Sequence, residues 1–116
     1  MKNLVVLFFM VLATSCQGQE CEALPKSFAS YSQALSKITD ASYNIKDSVD
    51  TSSSSWITGA NFYSCDGAKG FLILETTKKN YIFKNVPIDL WNNFKKAGSY
   101  GKFYSKNIRD KFQLAI

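Results

Sequence analysis

An alternating strand followed at once by a helix start constrains this chain more than any other feature. Residues 81–84 read Tyr-Ile-Phe-Lys, which sets Tyr81 and Phe83 on one face of a strand and Ile82 on the other. Asn85 and Val86 lead to Pro87, a residue suited to the first helical position. Asp89 then complements the positive end of the helix dipole, Lys95 and Lys96 complement the negative end, and Gly98 suits a left-handed cap. Ile88, Trp91 and Phe94, with Leu90 beside them, give the helix an apolar face that should cover a sheet.

Two further runs, 56–63 and 71–76, have strand composition and are joined through the turn-rich segment 64–70 as a hairpin. A second turn at Lys78-Lys79-Asn80 makes 81–84 a third strand, antiparallel to the second. Upstream, Phe28, Tyr31, Leu35 and Ile38 fall at spacings of three and four and predict a helix over 27–38, with Ser27 as N-cap and the stripe in contact with the following domain. Residues 42–51 are ambiguous, with Tyr43, Ile45 and Val49 suggesting a weak strand, and the serine run 52–55 reads as a loop. The expected fold class is α+β: a small antiparallel sheet of about three strands packed against one main helix and a second short helical segment, preceded by an N-terminal helix.

The first residues have a different character. Lys2, an apolar run over 4–12 and the small residues Ala13, Thr14 and Ser15 lead to Cys16, the layout of a secretory signal and cleavage site. The run is far shorter than the ~20 apolar residues of a membrane-spanning helix. Cys16 in that setting is similar to a bacterial lipobox cysteine, acylated at the mature N-terminus, although Leu12 sits one place early and ordinary signal cleavage also fits. Acylation of Cys16 would leave Cys21 and Cys65 as an even pair for a disulfide in an oxidising compartment. The resulting division is 1–15 signal, 16–26 tether, 27–55 helix and linker, and 56–116 main domain. The expected address is the bacterial cell envelope at a membrane, with a secreted or periplasmic soluble form as the alternative.

The main domain resembles the KTSC domain, a family named after the C-terminal extension of some lysyl-tRNA synthetases. The resemblance rests on Tyr81-Ile82-Phe83, where Phe83 replaces the second Tyr of a Tyr-x-Tyr motif, on Asn85-Val86-Pro87 at a helix start, and on a second segment over 99–108 with Gly101, Phe103, Tyr104, Asn107 and Ile108. It covers about 60 residues ending at Phe112. It implies a small α+β fold and a suspected RNA ligand, with no reaction attached.

Chemistry in the residues themselves is sparse. The chain has no histidine, which excludes Ser-His-Asp triads, Cys-His pairs and histidine metal sites, and no cofactor, metal site or catalytic residue is expected. Charge is uneven. Between Cys16 and Trp56 three lysines face five carboxylates, whereas from Trp56 onward ten basic residues face four acidic ones. Such a domain attracts anions in general, although lysines also keep a small aromatic-rich domain soluble. Candidate binding residues are Tyr81, Lys84, Lys95, Lys96, Tyr100, Lys102, Tyr104, Lys106 and Arg109. Tyr81, Phe83 and Phe103 also read as core. The expected function is a non-enzymatic exported lipoprotein carrying a binding domain. Its partner would be an envelope protein or an anionic glycan; the alternative is nucleic acid, which export disfavours.

Overall fold

The computed structural model describes residues 20–114; the proposed signal and Cys16 lie outside them. A short 3₁₀ turn at Cys21–Ala23 precedes helix α1 (Tyr31–Asp40). Four strands follow, β1 (Ile45–Val49), β2 (Ile57–Ser64), β3 (Lys69–Thr76) and β4 (Asn80–Pro87), and then helices α2 (Ile88–Lys95) and α3 (Tyr100–Asn107). The class is α+β, with one antiparallel sheet in the order β1-β2-β3-β4.

The sheet has four strands where three were expected, because the weak run around Ile45 pairs in register with β2 from Ile45 opposite Ser64 to Val49 opposite Ala60. The segment 27–55 is thus more than a helix and linker. Helix α1 starts later than its periodicity predicts. Ser30, not Ser27, accepts the Gln33 backbone N–H at 3.1 Å, while the Gln33 side chain accepts from Ala29 at 2.8 Å, a reciprocal arrangement of the capping-box kind. Phe28 is buried just ahead of that cap, and Tyr31 is the outer end of the stripe.

Both faces of the sheet are covered. On one, Phe62, Leu72, Leu74, Phe83 and Val86 pack with Trp91 and Phe94 of α2 and with Ile108. On the other, Ile73 and Ile82 pack with Phe28, Ala34 and Ile38. That is why β3 reads Leu72-Ile73-Leu74 without alternation. Tyr81 and Phe83 do lie on the opposite face from Ile82, as period two requires.

At the end of β4 the Asn-Val-Pro motif acquires a physical meaning. Gly70 pairs with Val86 and Leu72 with Phe83, so Lys84 and Asn85 oppose the single residue Phe71 in a β-bulge. Asn85 takes a left-handed φ of 57°, a conformation asparagine tolerates better than most residues. Val86 then returns to the core with no exposed surface. Pro87 is the last residue of β4 and caps α2 from outside, one place before the helical position expected of it. Gly98 takes no left-handed conformation either. Helix α2 closes through Lys96 and Ala97, whose N–H groups reach back to Asn93 and Phe94 carbonyls, and Lys96 remains right-handed.

A disulfide joins Cys21 to Cys65, with Cα atoms 5.8 Å apart. Cys65 follows β2 directly and leads into the turn where Gly67 adopts a φ of 76°. Among the described residues no helix is long and apolar enough to cross a membrane.

Candidate functional site

Three aromatic side chains from different elements meet at the end of the sheet where β2 and β4 begin. Trp56 immediately precedes β2, Tyr81 is the second residue of β4, and Tyr104 projects from α3. The Tyr104 ring lies 5.6 Å from Trp56, edge to face, and 6.5 Å from Tyr81. All three are half-buried, so each ring is fixed by packing while part of it meets solvent. Tyr104 is held against Phe83 as well, at 5.9 Å.

An open groove of about 790 Å³ runs from Tyr31 and Leu35 of α1 past Tyr81 and Tyr104 to Arg109 and Leu114. A smaller depression of about 390 Å³ continues it past Trp56, Thr77 and Lys78. Tyr81, Tyr104 and Arg109 line both, so the two form one surface. Beyond Trp56, a shallow area carries Lys102 and Lys106 of α3. Gly101 makes this approach of α3 possible, since a Cβ there would lie 2.7 Å from the Trp56 Nε1.

The electrostatics favour an anion. Lys78, Lys79 and Arg109 are exposed at the groove, and the Lys79 ammonium sits 4.9 Å from the Tyr81 ring centroid. Among the described residues the ion pair is Lys95 with Asp47, which leaves these three cations without a carboxylate partner. Asp110 also lines the groove, where its side chain accepts from Gln113. Burial pushes the Tyr31 phenol up to about 12, with Tyr81 adding to it, and burial raises Tyr104 too. Both phenols therefore stay protonated at neutral pH, so each carries an O–H donor. The Tyr31 hydroxyl donates to the Asn80 carbonyl.

The sequence-derived candidates divide. Tyr81, Tyr104 and Arg109 come together, and Lys102 and Lys106 flank them beyond Trp56. Lys95 is placed elsewhere, donating to Asp47 at 2.6 Å and lying 5.6 Å from the Trp91 ring. Tyr100 packs on Phe94 at 5.2 Å, Lys96 is exposed at the end of α2, and Lys84 sits half-buried in the bulge, its N–H donating to Phe112. Trp56, Lys78 and Lys79 were not among the candidates. Hairpin pairing was the signal that could have found them, since a strand beginning near 56 and one ending near 76 bring Trp56 beside the 77–80 turn; the Thr77 N–H donates to the Trp56 carbonyl at 3.1 Å. Among the described residues no three Cys, Asp or Glu side chains cluster as metal ligands.

No curated protein matches the chain. A KTSC domain protein from Yersinia pestis, known from a crystal structure, is similar at 28% identity, the match covering 59% of this chain and 89% of that one with a TM-score of 0.47. The model of the KTSC domain family matches residues 76–112, which hold all of β4, α2 and α3 and most of the groove's cationic rim. Over residues 76–112, this chain matches the KTSC domain family.

Proposed function

We propose that the protein is a non-enzymatic lipoprotein of the bacterial envelope, held at a membrane through Cys16, whose KTSC domain binds an anionic glycan in the groove between Tyr31, Tyr81, Tyr104 and Arg109. One observation carries the binding reading: aromatic rings fixed by packing share a single open surface with Lys78, Lys79 and Arg109, cations without a carboxylate partner among the described residues. Aromatic faces suit the C–H faces of sugar rings, and the cations suit their acidic groups. The export reading is supported by the signal-like segment ending at Cys16 and by the pairing of the two remaining cysteines.

Titration with polygalacturonate, followed by Trp56 fluorescence and calorimetry, tests the ligand class. Saturable binding that weakens as salt rises, and that is lost in Arg109→Ala and Tyr104→Ala, is expected. Absence of binding at low salt would end the glycan reading. Preference for single-stranded RNA over the polysaccharide at equal charge would replace it with the nucleic-acid reading.

A further inference from the structure

We infer that the Cys21–Cys65 bridge decides which end of the domain faces the anchor, and that it turns the aromatic groove away from the membrane; this rests on the anchoring of Cys16 proposed above. The sheet has two distinct ends. Ile57 pairs with Thr76 and Asn80 with Glu75, so Trp56, Thr77, Lys78 and Tyr81 share the groove end. Ser64 pairs with Gly70 and Pro87 with Lys69, so Cys65, Gly67 and Ala68 share the other. The strand between them, from Ile57 to Ser64, spans roughly 23 Å at ~3.3 Å per residue.

Helix α1 begins at the groove end. Its first residue, Tyr31, lines the groove and donates to the Asn80 carbonyl. The chain leaving α1 arrives at the other end, where the Tyr43 ring lies 5.3 Å from Tyr63 and the Asn44 amide donates to the Cys65 carbonyl. An entering chain without the bridge would keep only short-range ties around 20–24, among them the pairing of Glu20 with Ser42, ahead of its first fully buried side chain, Phe28, three residues from the groove end. With the bridge it is gripped at Cys21, at the opposite end. Besides the disulfide, Cys21 is held there by a backbone bond to the Ser42 carbonyl at 3.1 Å, a weak tie by comparison.

Chain length gives the difference its consequence. Five residue steps separate Cys16 from Cys21 and reach at most ~18 Å, whereas the twelve steps to Phe28 reach ~40 Å. The bridged domain stands close to the bilayer on its 65–68 turn, with the groove a strand length farther out. The unbridged domain hangs from its groove end on a tether long enough to tumble. The partner fitted to the bridged form is an anionic polymer that lies beyond the domain, because the groove sits about a strand length farther from the anchor than the bridge does.

The orientation can be measured without relying on cellular acylation. The chain from residue 16 onward, produced with its bridge intact, is coupled through the Cys16 thiol to a maleimide lipid in vesicles of neutral phosphatidylcholine. A donor dye is placed through a clickable amino acid at position 68 or at position 78, both exposed, and energy transfer to acceptors in the headgroup layer is recorded. Greater transfer from 68 than from 78 is expected. The difference should vanish in Cys21→Ser/Cys65→Ser, and equally when a ten-residue Gly-Ser insert follows Cys16 in bridged protein, a variant that leaves the fold untouched. Equal transfer from the two positions, or a difference that survives the insert, would overturn the inference. Fatty-acid labelling in cells reports separately on the lipoprotein reading.

Discussion

The Lys95 ammonium and the Trp91 indole both donate to one oxygen of Asp47, at 2.6 and 2.9 Å, which ties strand β1 to helix α2. Lys95 and Trp91 lie within the matched family segment and Asp47 outside it. The bonds from Lys95 and then Trp91 hold the Asp47 carboxyl below its ordinary value. The ion pair is more than a third exposed on the Asp47 side, so solvent screening limits it to about 0.2–1 kcal/mol. Leaving the Trp91 N–H unpaired adds about 1 kcal/mol. Asp47→Ala should therefore cost about 1–2 kcal/mol in urea melts, and Lys95→Ala less. The Asp47 contribution is complete above the ordinary carboxylate value near 4 and declines as pH falls through the lowered folded value, so wild type and Asp47→Asn should converge in acid.

Removing the bridge should be the larger loss. A loop of 44 residue steps gives ~4 kcal/mol in the chain-entropy account. Cys65→Ser should melt at the temperature of reduced wild type. Peptide mapping of unreduced protein should recover Cys21 and Cys65 joined.

The bulge at the end of β4 predicts an ordered set of substitutions. At Asn85 the left-handed conformation suits glycine, so Asn85→Gly should be close to neutral, while Asn85→Val should destabilise by about 1–2 kcal/mol. Thermal melts of the two variants check this. Comparable losses would show that the side chain, not the backbone angle, selects asparagine.

Close backbone approaches should also rank. A Cβ at Gly70 would lie 2.1 Å from the Tyr63 carbonyl oxygen, a backbone atom that cannot swing aside. At Gly101 the obstacle is the Trp56 side chain. Gly70→Ala should therefore be the more destabilising, beyond the ~1–3 kcal/mol usual for overpacking. Gly101→Ala should instead shift Trp56 emission, because the groove wall must move.

Much of this could be read from the residues because local and tertiary preferences agree there. The Tyr81-Ile82-Phe83 alternation and the apolar face of α2 follow from short-range pattern, whereas the segment of α3 comes only from the family resemblance; its start, where the Ser99 hydroxyl accepts the Lys102 N–H, is seen in the structure. The misreadings occur where two signals compete. Pro87 satisfies a strand end and a helix start alike, Ser27 and Ser30 are equally good caps on paper, and β1 has too few apolar residues to announce itself without the pairing to β2. The groove was half legible. Tyr104 and Arg109 stand in a pattern, but Trp56 joins them only through the register of the hairpin.

Covering both faces of one sheet also bears on the order in which the chain becomes available during synthesis. Ile73 and Ile82 present an apolar face flanked by Tyr63 and Phe71, the kind of surface that associates between molecules if left open. Its cover, α1, lies upstream of every strand. A chain emerging N-terminus first brings Ala34 and Ile38 out before β3 and β4 exist, so the sheet closes onto a waiting partner, and the interval in which it could meet a second copy is short.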